Sequence, residues 1–256
     1  MLTQPDRQDA CPTTPEFQLN IVVPMAGLGS RFQQAGYKIP KPLIDVRGRP
    51  MYAWAVDSLP LEFATRLIFI LLSSQPEFPQ LRDDILRRYA KHNPLVLDVP
   101  ALTAGQAITV LRAKEWIDNA ETLLIHNADT AFTVNPSWAQ QAWRQNCDGA
   151  LLVFESNEKR WSFSRERADG WVEEVREKEV ISPWASTGTY WFRRGADFVR
   201  LAEERMSTGR KEAAEYYVGP LYNDLIANGA RVKNFKIERL FCFGTPEDYE
   251  QTLREL

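Results

Sequence analysis

An apolar run, Leu19 to Val23, passes directly into a glycine-bearing loop and then into Lys41-Pro42-Leu43, and this succession restricts the chain to few folds. Ile and Val favour a buried strand, so Pro24 to Leu43 is expected where a first strand hands over to a loop. Gly27 and Gly29 bracket a tight turn; lacking Cβ atoms, they let main-chain N–H groups approach a ligand rich in acceptor oxygens. Arg31 adds a permanent forked cation, and Lys38 and Lys41 add two more. Pro40 and Pro42 restrict the backbone on both sides of Lys41 and so help to aim its ammonium. Glycines and cations in this order suit an oligophosphate whose oxygens gain charge as phosphorus is attacked. Two other phosphate-binding patterns fail. Phe32 stands where a dinucleotide fingerprint needs its third glycine, and no Gly-Lys-Ser/Thr follows the turn.

Charge narrows the partners. With 31 Lys and Arg against 34 Asp and Glu, the net charge of −3 provides no global basic field for nucleic acid or anionic membrane. The apolar run Leu67 to Leu72 is far too short to cross a bilayer. Residues 1–18 contain Pro5, Asp6, Asp9, Pro12, Pro15 and Glu16 without an apolar core, so they read as a disordered tail and not a signal peptide, with the domain from 19 to 256 and a cytoplasmic location. Three scattered cysteines (Cys11, Cys147, Cys242) and two histidines (His92, His126) have no zinc-ligand spacing and read as reduced thiols and ordinary imidazoles.

Beyond the opening loop, strand and helix patterns alternate. Helices are expected over Pro50 to Leu59, Phe78 to His92 and Gly105 to Ile117, the last opened by Thr103 as N-cap. Strands are expected over Leu67 to Leu72, Leu95 to Val99, Glu121 to Asp129 and Ala150 to Phe154. Asp129 ends its strand where open α/β sheets place ligands, and it reads either as a metal carboxylate or as the cap of a helix beginning near Pro136. Trp161 to Val175 reads as a hairpin turning at Ala168-Asp169-Gly170, leading to the pair Glu177-Lys178, which on its own is an exposed ion pair. A helix is expected around Phe198 to Arg205, then a second over Glu212 to Ile226, interrupted by Gly219 and Pro220.

Gly27, Gly29, Arg31, Lys41, Pro42 and Leu43, in that order, resemble the signature of the sugar-1-phosphate nucleotidyltransferases, the pyrophosphorylase family, with Leu28 and Ser30 as variants and Ala26-Gly27 in place of paired glycines. The likeness covers about Leu19 to Leu256. It implies nucleotide binding by Ala26, Gly27, Gly29 and Ser30, and catalysis by Arg31 and Lys41. Gly105 and Gln106 would lie over the base, although Gln106 is equally read as a helix start, and Val99 stands before Pro100 where the family has a glutamine. Asp129 would hold Mg2+; Glu177, Lys178 and Gly188 would bind the acceptor, with Glu179 replacing the family's proline. Arg239 to Tyr249 resembles the family's C-terminal motif, but Cys242 occupies its second metal aspartate, and a soft thiol is a poor magnesium ligand. Either Asp224 or Glu238 replaces it, or the metal rests mainly on Asp129 and phosphate oxygens.

The resemblance implies an α/β protein: a three-layer α/β/α sandwich with a Rossmann-like, mostly parallel sheet and a small hairpin extension on the acceptor side. The expected reaction transfers a nucleoside monophosphate from an NTP to a sugar 1-phosphate, supplying nucleotide sugars for polysaccharide synthesis. Two alternatives stay open at this point: a cytidylyltransferase for a non-sugar phosphate such as phosphocholine, and a non-catalytic nucleotide-binding regulator. A homo-oligomer is compatible with all three.

Overall fold

The computed structural model describes residues 17–212 and 214–256. The expected tail lies outside the described residues as far as position 16. Phe17, assigned to that tail from sequence, is instead buried and stacks on Phe63 and Trp143.

In chain order, β1 (Leu19–Met25) is followed by α1 (Ser30–Gln34), the short pair β2 (Asp45–Val46) and β3 (Arg49–Pro50), and α2 (Met51–Asp57). Then come β4 (Ala64–Leu72), α3 (Phe78–Arg88), β5 (Leu95–Val99), α4 (Gln106–Val110), α5 (Lys114–Ile117), β6 (Thr122–His126), β7 (Thr130–Thr133) and α6 (Trp138–Arg144). The remainder comprises β8 (Gly149–Glu155), the hairpin β9 (Ser162–Glu166) and β10 (Val172–Glu177), β11 (Trp184–Phe192), α7 (Gly195–Thr208), α8 (Leu221–Ala227), β12 (Val232–Lys236), β13 (Arg239–Cys242) and α9 (Pro246–Glu255).

Nine strands form the central sheet, whose main path runs β10-β9-β11-β6-β1-β4-β5, with β8 joining β11 to β12. The half around β1 is parallel: Val22 of β1 lies opposite Ile68 of β4 on one side and Ile125 of β6 on the other. Both faces are buried. Val22 enters one apolar cluster, whereas Leu19, Ile21 and Val23 enter the other, which explains why β1 reads as a continuous apolar run. A third, smaller core of Phe32, Ile44, Val46, Met51, Phe241 and Phe243 supports the signature loop from below.

The chain builds β4 and β5 on one flank of β1 and then returns to add β6 on the other, so the strand order reverses between β1 and β6. Open α/β sheets bind ligands at such a reversal, outside the carboxyl ends of the strands. Here those ends deliver the loops that carry Gly27 to Lys41 and Asn127 to Asp129.

Three local expectations are corrected. Thr103 is not the N-cap: Gly105 holds that position, and the Thr103 hydroxyl bonds instead to the Gly105 carbonyl (3.0 Å) and the Thr109 hydroxyl (2.6 Å). The expected helix from Gly105 to Ile117 is divided into α4 and α5 by a tighter turn at Leu111–Ala113. The helix expected over Glu212 to Ile226 is reduced to α8, because Tyr216 spends its main-chain groups on Ala104 and Ala107, and Gly219 packs against the Ser162 hydroxyl. No helix among the described residues is long and apolar enough to cross a membrane.

Candidate functional site

At the reversal point a cleft of about 280 Å³ is lined by Pro24, Met25, Gly27, Gly29, Lys41, Pro42, Asn127, Ala128 and Asp129. Lys41 begins a single tight turn between its two prolines, and its stem reaches back across the loop. A Cβ on Gly29 would lie 2.9 Å from the Lys41 Cβ, so this glycine, in left-handed conformation at φ 63°, is the one that lets the lysine pass. The Lys41 ammonium donates to the Asp129 carboxylate at 2.5 Å and to the Gly244 carbonyl at 3.0 Å, and stands 5.3 Å from the centre of the Phe32 ring. Residues 88 and 203 positions away thus hold the signature lysine.

Asp129 does not cap a helix. The helix after it starts at Trp138 with Ser137 at its N-cap, while Asp129 leads into β7 and its carbonyl accepts from Phe243 N–H (2.9 Å). Burial alone would raise the Asp129 carboxyl, but the Lys41 ammonium, through charge and hydrogen bond, outweighs it and holds the group below the usual carboxylate range. Asp129 is therefore ionised at neutral pH.

The loop before it is pinned by His126, which is fully buried. Its Nε2 lies 2.7 Å from the Thr130 carbonyl, which can only accept, so Nε2 carries the proton and Nδ1 accepts from the Thr189 hydroxyl at 2.8 Å. Burial pushes this imidazole down to about 4, so it stays neutral and acts as a structural bracket. Asn127 joins two further expected regions: its side-chain oxygen accepts from Gln106 Nε2 (2.6 Å), and its N–H donates to the Gly188 carbonyl (3.3 Å). A Cβ on Gly188, at φ 78°, would lie 2.0 Å from Asn127 Nδ2, so the strand glycine makes room for this asparagine. This role of Asn127 is not legible in the sequence, since its partners are remote in the chain.

Other expected residues are placed differently. Ser30 and Arg31 open α1 beside the cleft and do not line it; Arg31 is exposed, with Glu247 near enough to feel its charge. Ala26 is buried beneath the loop. Glu177 and Lys178 stand on β10 and just after it, with β9 and β11 between them and β6 in the sheet order. Burial pushes the Glu177 carboxyl up to about 7, opposed by Lys178 and the Ser162 hydroxyl and assisted by Glu212 and Glu215.

This shift carries a prediction. A carboxyl raised above its unfolded value near 4.5 disfavours the folded state once it ionises, so stability falls as pH rises from there through about 7. Glu177→Gln, neutral throughout, should give a flatter profile of melting temperature between about pH 5 and pH 8. An unchanged slope would show that another group controls that range.

Cys242 lies opposite Thr130 in the β7/β13 ladder, beside Asp129. Its thiol accepts from Gly244 N–H at 3.4 Å, and burial pushes it up to about 12, so it is neutral. Neither candidate replacement acid reaches the cleft. Asp224 is paired with Arg205 between α7 and α8 at 2.5 Å, and Glu238 is exposed in the turn before β13. Asp248 is, besides Asp129, a carboxylate near Cys242; it completes a capping box with Thr245 and binds Arg160 at 2.6 Å.

Among the described residues Asp129 is the only carboxylate lining the cleft, and no three His, Cys, Asp or Glu side chains cluster as metal ligands. Magnesium commonly binds through one or two carboxylates and otherwise through substrate phosphates and water. The donor set fits that minimal mode. Asp129 Oδ2 is engaged by Lys41, whereas Oδ1 receives, among the described residues, only the Thr130 hydroxyl at 3.4 Å and could take an ion.

Residues 21–190 match the family model of the MobA-like NTP transferase domain. The chain belongs to this family. No functionally curated protein matches it. The NTP transferase is similar to the crystal structure of a nucleoside-diphosphate-sugar pyrophosphorylase from Vibrio cholerae RC9, at 30% identity and TM-score 0.79, over 91% of this chain and 99% of that one. A UDP-glucose pyrophosphorylase complexed with UDP-glucose shares the fold at 16% identity and TM-score 0.72, over 93% and 98% of the two chains. The resemblance read from the signature therefore holds, as does the α/β fold with its mostly parallel central sheet.

Proposed function

We propose that this NTP transferase moves a nucleoside monophosphate from a nucleoside triphosphate to a sugar 1-phosphate and releases pyrophosphate. The observation that carries the reading is Lys41, aimed into the cleft at the sheet reversal by Asp129 and the Gly244 carbonyl. The names of the similar pyrophosphorylases support the acceptor class. The unpaired, buried Cys147 and Cys242 accord with work in the reducing cytoplasm.

In the reaction, an acceptor phosphate oxygen forms a bond to the α-phosphorus as the bond from that phosphorus to the bridging oxygen breaks, and pyrophosphate departs with the electron pair. The acceptor is already ionised near neutral pH, so the protein needs no general base. Its task is alignment and stabilisation of charge. The amides of the Gly27 to Ser30 loop and the Lys41 ammonium face the triphosphate, Gln106 and Asn127 border the base side, and Lys178 neutralises the acceptor. Magnesium held by Asp129 Oδ1 would supply further neutralisation of the phosphates.

A panel of nucleoside triphosphates against glucose 1-phosphate, other sugar 1-phosphates and phosphocholine, scored by pyrophosphate release, tests the assignment. Release with sugar 1-phosphates is expected. Strict use of CTP with phosphocholine would identify the other acceptor class, and no release with any pair would overturn the reaction.

Arg31, which makes no side-chain hydrogen bond or ion pair among the described residues, is available to the phosphates. Arg31→Ala should lower kcat about a hundredfold, roughly 3 kcal/mol, while the KM for triphosphate changes much less. A raised KM with kcat unchanged would mark it as a binding residue only.

A further inference from the structure

Residues 214–219, expected from sequence to be helical, run between the two halves of the site. The segment is anchored by buried Arg205, which donates to Asp224 (2.5 Å), the Pro220 carbonyl (2.9 Å) and Glu212 (3.4 Å). Glu212 and Glu215 exchange main-chain hydrogen bonds of 3.1 and 3.2 Å.

At its centre, two adjacent residues face opposite duties. Tyr216 N–H donates to the Ala104 carbonyl (2.9 Å), and the Tyr216 carbonyl accepts from Ala107 N–H (3.0 Å), so the loop carrying Gly105 and Gln106 is held from both sides of one residue. The approach is so close that a Cβ on Gly105 would lie 2.5 Å from Tyr216 N and 2.6 Å from its oxygen. Tyr217 engages the acceptor side: its hydroxyl accepts from the Lys178 ammonium at 2.9 Å, and the ammonium stands 5.1 Å from the centre of its ring. Lys178 itself has left-handed backbone at φ 59°, uncommon for a residue with a side chain, with its N–H bound to the Trp161 carbonyl at 2.9 Å.

The Tyr216 carbonyl and the Tyr217 nitrogen belong to one planar peptide unit. The bond from Ala107 therefore sets the plane from which the Tyr217 side chain departs. Glu177 and Glu215 are near enough to attract the Lys178 ammonium, and the phenol holds it against that pull. From this geometry we infer that Tyr216 and Tyr217 form a clamp that couples the base-side loop to the acceptor lysine, with Tyr217 as the positioning residue for Lys178. Filling one half of the site then sets the affinity of the other. The acceptor role of Lys178 rests on the proposed function; the mechanical coupling does not.

The first test needs no ligand. Acetylation of Lys178 by acetic anhydride, quantified by peptide mass, and hydrogen exchange over 176–179 and 214–218 are compared in the wild type, Tyr217→Phe and Gly105→Ala. Tyr217→Phe keeps the ring and removes the acceptor oxygen, so Lys178 acetylation should change severalfold while 214–218 stays protected. Gly105→Ala should loosen 214–218 and, although remote in sequence, change Lys178 acetylation and the exchange of 176–179 as well. Wild-type reactivity of Lys178 in a folded Gly105→Ala overturns the clamp. Should that variant not fold, the decision comes from a mixture of nucleoside triphosphates, which should alter the exchange of 176–179 in the wild type and not in Tyr217→Phe; the same response, or none, in both overturns it. With a productive pair from the panel, Tyr217→Phe should raise the acceptor KM about tenfold and leave kcat and the triphosphate KM within about twofold. Equal rises in both KM values would reduce Tyr217 to packing and overturn its positioning role. A silent panel, by contrast, would overturn the proposed reaction and leave the ligand-free comparison to decide the clamp.

Discussion

Asp129→Asn should lower pyrophosphate release about a thousandfold, roughly 4 kcal/mol in the barrier. Two effects combine. The amide keeps the shape of the side chain but loses the charge that a hard cation requires, and it releases the Lys41 ammonium from its anionic partner at 2.5 Å. Single-turnover release measured against magnesium concentration separates the two: loss of the ligand moves the half-saturating magnesium concentration upward, whereas loss of the lysine anchor lowers the plateau. A metal response like that of the wild type would remove Asp129 from the proposed magnesium site. Cys242→Ser is the matched control. Its thiol is neutral and its contact with Gly244 N–H can be made by a hydroxyl, so activity should change little. A severe loss there would assign the sulfur a role that its neutral state does not explain.

Lys41→Met should cost several hundredfold in kcat, on the order of 3 to 4 kcal/mol, with a smaller change in the KM for triphosphate. Methionine retains an apolar stem to pack over Gly29 and beside Phe32, so the loss reports the charge and not the fold. Lys41→Arg should rescue little, because a wide guanidinium does not fit where a compact ammonium bridges Asp129 and the Gly244 carbonyl. If both variants retained turnover and lost only affinity, Lys41 would bind the ground state and transition state alike, and the assignment of catalysis to it would fail.

The elements legible beforehand were those whose cause is local. β1 and β4 are buried on both faces of a parallel sheet, and that environment selects the apolar runs by which they are read. The hairpin at Asp169-Gly170 follows from turn chemistry, with Gly170 at φ 80°. Misreadings arose where a distant partner competes with local preference. Tyr216 and Tyr217 have apolar spacing suited to a helix, yet main-chain bonds to Ala104 and Ala107 hold them in an irregular strap. Thr103 has the side chain of a cap but bonds within its own loop. Phe17 sits beside polar and proline-bearing sequence and is buried by rings from 46 and 126 positions further on, at Phe63 and Trp143.

By itself the sequence determined the membership of a nucleotidyltransferase family, the first strand and the glycine-bearing loop after it, and the chemical types at Lys41 and Asp129, because these depend on residue identity and short spacing. Tertiary structure alone decided that Lys41 is held by Asp129 and Gly244, that Asn127 joins Gln106 to Gly188, and that neither Asp224 nor Glu238 can replace the carboxylate absent at Cys242. The physical reason is the path of the chain through the sheet. Reversal of strand order brings the ends of β1 and β6 together, while the β7/β13 ladder delivers Cys242 and Gly244 to the same place. Direction and distance between such side chains are set by register and packing, and neither is encoded in the spacing of the residues along the chain.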